Sequence, residues 1–189
     1  MNLILGDSHS EVFKRWSNCH VIIVPGATVS GLRNPHSHTN ARFIFNQAIR
    51  DIPHSRVITM LGEVDMGYVL WHRHEKRGIP IKDSFELTFK TYCLWLSSIK
   101  SDLLVISAPL PTIAVASLKR NIQAPIWTRT ATTIMFNKAV EDFCRAQRIE
   151  YLNLDKLVLK DELLDPIYLS HDHHYDKEQF VKLLERNLV

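Results

Sequence analysis

The residues with the types and spacing for acyl chemistry begin at Gly6-Asp7-Ser8-His9-Ser10. This stretch directly follows the apolar run Asn2-Leu3-Ile4-Leu5 and precedes Glu11 to Trp16, which reads as the first turns of a helix. A hydroxyl at such a junction lies among unpaired backbone N–H groups, which can stabilise charge growing on a carbonyl oxygen that the hydroxyl attacks. The same residues have a second reading, in which Asp7, Ser8 or Ser10 simply caps the helix. Far along the chain, Ser170-His-Asp-His-His-Tyr175 offers a general base and a carboxylate to orient it. Two glycine-bearing segments, Ala27-Thr-Val-Ser-Gly31 and Gly62-Glu-Val-Asp65, can supply further backbone donors.

These groups act together only if the elements before them deliver them to one edge. Asn2–Leu5, His20–Pro25, Arg56–Leu61, Leu103–Ser107 and Glu150–Leu154 are short apolar runs, predicted as buried strands. Helices are predicted between them. One runs over Ala41 to Arg50, with Asn40 as its cap and Phe43, Ile44, Ala48 and Gln47 along one side, and another over Tyr68 to Lys76. A long one starts at Asp83 or Ser84 and reaches Ile99, with Phe85, Phe89, Tyr92, Leu96 and Ile99 at helical spacing. Thr128 to Gln147 is the next, with Ile134, Ala139, Val140 and Phe143 inward, and Asp176 to Asn187 closes the pattern. Residues 109 to 125 read as a proline-rich loop and 155 to 175 as irregular. Alternating strands and helices predict an α/β fold, a three-layer sandwich with a five-stranded parallel sheet in flavodoxin-like order, and a single domain over residues 1–189. In such sheets ligands bind beyond the carboxyl ends of the strands, which is where all four segments fall.

With these segments in place, the chain resembles the SGNH (GDSL-type) hydrolase family over nearly its whole length. Gly6-Asp7-Ser8 is similar to the first block of that family, Ala27 to Gly31 to the second, Leu61-Gly-Glu-Val-Asp65 to the third, and His174-Tyr-Asp-Lys-Glu to the last. The resemblance implies Ser8 as nucleophile and His174 as base, with the N–H groups of Ser8 and Gly31 as oxyanion donors and no metal or cofactor. Two departures stand out. The third block usually carries an asparagine whose amide also holds the oxyanion, and Val64 stands there; a missing donor of this kind costs about 10²–10³ in rate. The family places an aspartate three residues before its histidine, where this chain has His171, so Asp172 becomes the orienting acid. A serine–histidine pair helped only by a backbone carbonyl is the other reading.

Asp7, His9, Arg33, Asn34, Glu63 and Asp65 are the remaining positions expected to face substrate. Glu63 and Asp65, as carboxylates, would repel an oxyanion and are better placed to fasten their loop by accepting backbone hydrogen bonds. His36 and His38 belong to a long polar loop. Trp71, Arg73 and Trp127 are either acceptor-binding or ordinary packing residues. His171, His173, His174 and Asp172 contain metal-ligand types, but adjacent histidines in a loop rarely converge on one ion.

Composition narrows the function classes. Of 189 residues 46% are hydrophobic and 23% charged, an ordinary globular mix. A net charge of +3 with no basic stripe argues against a nucleic-acid partner. Cys19, Cys93 and Cys144 are widely spaced among apolar neighbours, as expected of reduced core residues in a cytoplasmic protein. No apolar stretch reaches the ~20 residues of a membrane span, and there is no basic, apolar leader at the start. The function expected is a serine-dependent esterase or deacylase acting on a glycan or small-molecule acyl ester. Transfer of the acyl group to a sugar hydroxyl, or a degenerate site that only binds a glycan or partner, are the alternatives. Oligomeric state leaves no mark on the sequence.

Overall fold

The computed structural model describes residues 1–112, 124–170 and 174–188. Five parallel strands form one sheet: β1 (Asn2–Gly6), β2 (Cys19–Ile23), β3 (Arg56–Met60), β4 (Asp102–Ile106) and β5 (Glu150–Leu152). Their spatial order is β2-β1-β3-β4-β5, the flavodoxin-like order. The helices are α1 (Ala41–Asp51), α2 (Leu70–Arg77), α3 (Ile81–Ser98), α4 (Ile126–Gln147), the short α5 (Asp155–Val158) and α6 (Lys177–Leu188).

Alternation along the strands builds a core on each face. Leu3, Leu5, Val57, Leu103 and Val105 pack with Phe45, Tyr92, Trp95, Leu96, Phe136 and Val140 from α1, α3 and α4. Ile4, Ile58, Met60, Leu104 and Ile106 point the other way, onto Phe13, Leu154, Val158, Tyr168, Phe180 and Leu184. Both faces of the central strands are therefore buried, which is why these strands read as unbroken apolar runs.

Three helix assignments are corrected. In α1 the inward residues are Ala41, Phe45 and Ala48, whereas Phe43 is 59% exposed. Asn40 adopts a left-handed conformation (φ 53°) and makes no side-chain capping bond. In α4 the buried face carries Arg129, Thr130, Thr133, Phe136, Asn137, Val140 and Cys144. Small polar residues lie on that face because hydrogen bonds satisfy several of them, as Thr133 Oγ1 donates to the Arg129 carbonyl at 2.9 Å. In α3, Tyr92 and Leu96 are buried together with Trp95, while Phe85 and Phe89 are only partly covered.

The segment after β5, expected to be irregular, holds α5 and a small hairpin of β6 (Leu159–Lys160) and β7 (Leu163–Leu164). Its turn is Asp161-Glu162, both at positive φ (49° and 65°), the geometry that suits a two-residue hairpin. The three cysteines are free thiols, with Cys144 buried. Among the described residues no helix is long and apolar enough to cross a membrane.

Candidate active site

β1 runs into a 3₁₀ helix over Ser8–Arg15, and its tightness has a local cause. The Asp7 carboxylate accepts from the His9 N–H at 2.9 Å, while the Asp7 carbonyl accepts from Ser10 N–H at 3.0 Å. Ser8 is thus the first residue of the turn, partly exposed, with its N–H among the donors of a helix start. Gly6 is required by the close approach: a Cβ there would meet the buried Ser10 side chain and the Met60 carbonyl oxygen, the latter at 2.8 Å.

A cavity of about 10 Å³ opens over this turn, room for about one water. Ser8, His9, Pro109, His174 and Tyr175 are among its lining residues. The structure therefore brings Ser8 and His174 to one place. His171, Asp172 and His173 lie outside the described residues, so the orienting acid expected at Asp172 has no geometry here. Tyr175, directly after His174, is buried; its hydroxyl accepts from Leu110 N–H at 2.6 Å and binds the loop leaving β4 to the loop entering α6. At the rim, Lys177 Nζ donates to Glu11 Oε2 at 3.1 Å, and this bond holds the Glu11 carboxyl below its usual range.

His9 is an unexpected centre of contacts. Its Nδ1 lies 3.0 Å from Asp7 Oδ1 and its Nε2 3.9 Å from Glu63 Oε2. Its ring centroid is 4.9 Å from that of His174, at an interplanar angle of 57°. Asp7, expected to face substrate, is instead fully buried beneath His9.

Asp65 is also fully buried, which rules out a direct substrate contact. Its Oδ2 accepts from Val29 N–H at 2.6 Å and its Oδ1 from Ser30 N–H at 3.1 Å, pinning the loop after β2. Burial pushes its carboxyl up, against the Ser30 and Val29 hydrogen bonds and the Arg73 charge, which pull it down. Arg73 completes this anchor by donating to Ser30 Oγ at 3.2 Å. Trp71 likewise serves packing, its Nε1–H bonded to the Met66 carbonyl at 2.7 Å, whereas Trp127 is 65% exposed.

Gly31 departs from expectation. Its N–H donates within its own turn, to the Thr28 hydroxyl at 2.9 Å and the Thr28 carbonyl at 3.1 Å. The Thr28 hydroxyl thus takes up this N–H, and a Cβ on Gly31 would come within 2.6 Å of that hydroxyl. Val64 is partly exposed and ends the glycine turn at Gly62 (φ 126°), where a Cβ would collide with Phe136 at 2.8 Å. A single π-helical turn over Asp65–Val69 then leads into α2. Arg33 and Asn34 are exposed and line a separate open cleft of about 620 Å³ with Asn40, Arg42 and Phe43. His36 and His38 are exposed in the same loop.

A buried network missed by the apolar pattern supports the β4 end of the site. Asn137 accepts from Ala108 N–H at 2.8 Å and donates to the Ala108 carbonyl at 2.9 Å and to Asp155 Oδ1 at 2.8 Å. The signal available was an asparagine inside an otherwise buried helical stripe. Burial raises the Asp155 carboxyl to about 7, opposed by the Asn137 hydrogen bond. The folded state therefore holds this proton more tightly than the unfolded chain does. That contribution is complete below about pH 4 and is lost as pH rises through about 7. Roughly 2–3 kcal/mol should disappear between about pH 5 and pH 8.5. Asp155→Asn is expected to remove this loss, so that its Tm exceeds that of the parent by about 5 °C or more at the higher pH. A Tm difference independent of pH in thermal melts would show that Asp155 is not the titrating group.

No protein-family model matches the sequence, and comparison with curated protein sequences finds no match. Solved structures do match. A GDSL-like lipase from Bacteroides thetaiotaomicron superposes with a TM-score of 0.60 at 15% identity, over 99% of this chain and 86% of that one. An acetyl xylan esterase gives 0.59 at 11% identity, over 98% and 97% of the two chains. The inhibitor-bound aryl esterase of M. smegmatis gives 0.58 at 13%, over 98% and 96%. With its five parallel strands in the order β2-β1-β3-β4-β5, this chain has the SGNH (GDSL-type) hydrolase fold.

Proposed function

We propose that the protein is a serine-dependent ester hydrolase that removes an acyl group from a small-molecule or glycan ester. Ser8 gives its proton to His174 as Oγ attacks the acyl carbonyl. The oxyanion that forms is held by Ser8's own N–H. Collapse breaks the ester C–O bond, and the departing alcohol takes the proton back from His174. His174 then deprotonates a water that attacks the acyl-enzyme, and Ser8 leaves with that proton, releasing the carboxylic acid. Asp172 is assigned to orient the imidazole. The observation that carries this reading is the shared cavity: Ser8 and His174, remote in sequence, line it together. The esterases and lipase sharing the fold support it as precedent for the reaction class.

A fluorophosphonate probe tests it directly. The label is expected on Ser8, located by peptide mass spectrometry, and is expected to be absent from Ser8→Ala. Wild-type protein that takes no label at Ser8 would contradict the assignment. Product analysis with a sugar acceptor present then separates release of free acid from transfer to a hydroxyl.

A further inference from the structure

The cleft of about 620 Å³ between the loop after β2 and α1 is separate from the cavity at Ser8, with no lining residue in common. Its size falls in the ~300–1,000 Å³ range of small-molecule sites. Both walls are fixed from behind. The Asp65 carboxylate and Arg73 anchor the loop at Val29 and Ser30, and α1 is held to the core through Ala41, Phe45 and Ala48.

The side chains around this cleft are rich in hydrogen-bond donors. Arg33 and Arg42 are exposed guanidiniums, a group that carries five N–H donors, accepts nothing and stays charged in proteins. Arg42 reaches back to the Leu32 carbonyl at 3.5 Å, which brings its charge to the Arg33 side of the cleft. Among the described residues neither arginine forms an ion pair, and no aspartate or glutamate lines the cleft.

Two amides add to the excess. Asn34 Oδ1 accepts from the His36 N–H at 3.0 Å, and Asn46 Oδ1 accepts from Trp95 Nε1–H at 3.1 Å. Both partners can only donate, so each must meet the amide oxygen. Each amide thereby keeps both of its N–H donors and has spent one acceptor site. Phe43, 59% exposed, sets an aromatic face beside these groups. Sugar hydroxyls both donate and accept, and alone they leave such a lining half matched. Anionic oxygens only accept, and they match it. The aromatic face suits the apolar side of a ring.

We propose that this cleft binds an acidic sugar, with its carboxylate or phosphate held by Arg33 and Arg42 and its ring against Phe43. Binding here does not depend on Ser8 being a nucleophile.

The test is titration calorimetry of the whole chain with glucuronate, glucose 6-phosphate, glucose and inorganic phosphate, with thermal melts to establish folding of each variant. At least one of the two acidic sugars is expected to bind about tenfold or more tightly than glucose, and the tighter of the two identifies the anionic group. Its affinity should fall as sodium chloride is raised, because the charges are exposed. Arg33→Gln with Arg42→Gln should weaken it by about tenfold or more. Arg33→Gln alone, at an exposed side chain, should weaken it by about threefold and serves should the double variant not fold. Phe43→Ala should weaken the acidic sugar and leave inorganic phosphate unchanged. Failure of both acidic sugars to saturate the protein overturns the inference. So does glucose binding as tightly as they do, or arginine variants that bind like wild type. Inorganic phosphate binding as tightly as glucose 6-phosphate, or an acidic sugar indifferent to Phe43→Ala, overturns it as well, since the ring would then contribute nothing.

Discussion

Replacing Ser8 by alanine is expected to lower kcat/KM on p-nitrophenyl acetate by about 10⁴-fold or more, and replacing His174 by alanine should cost nearly as much. The size follows from the roles proposed for the two groups. Without its hydroxyl the chain forms no acyl-enzyme. Without the imidazole, that hydroxyl stays protonated and is a poor nucleophile near neutral pH. Because they act as one unit, the double variant should be little worse than either single variant. The test is steady-state kinetics on the three variants. Losses that multiply would mean that the two residues work independently, and rates equal to wild type would place the chemistry elsewhere.

Asp65→Ala carries the largest expected effect on stability, a loss of about 3–5 kcal/mol. Its carboxylate is fully buried and accepts the N–H groups of Val29 and Ser30 at 2.6 Å and 3.1 Å. Removing it leaves two buried donors without acceptors and takes the countercharge from Arg73, which is bonded to the same loop through Ser30. For a chain of this length the loss corresponds to a Tm lower by about 10 °C. Asp65→Asn should be destabilised as well, since its amide must present N–H to at least one of those two donors. A Tm for Asp65→Ala within 2 °C or so of the parent in calorimetry would show that other contacts hold the loop.

The fold was legible because strand alternation is a local signal with few competitors. Leu3 and Leu5 on one face and Ile4 on the other follow from a period of two once the strand is recognised. Helix faces were less legible where apolar residues crowd. Phe43, Ile44 and Phe45 are consecutive enough that two stripes fit, and tertiary packing chose Phe45. In α4 the buried stripe contains Arg129 and Asn137, whose partners Gly67, Ala108 and Asp155 come from elsewhere in the chain and leave no periodic trace. At the site, the segments carrying Ser8 and His174 could be named from residue order, and so could the loop-fastening role of Asp65. The engagement of Gly31 by Thr28 could not. It depends on a 3₁₀ turn at Ser30–Arg33 and a single hydroxyl rotamer, both settled by packing rather than by pattern.

The bond from Leu110 N–H to the Tyr175 hydroxyl couples the exit of β4 to the segment bearing His174. Its consequence concerns time rather than space. On the ribosome Ser8 is synthesised first, and β1 must wait for β3 before both its edges are paired. His174 reaches the cavity it shares with Ser8 through the docking of this later segment, which the Tyr175–Leu110 bond holds in place. On the proposed function, Ser8 would stay inert as a nucleophile until that docking brings His174 into the same cavity.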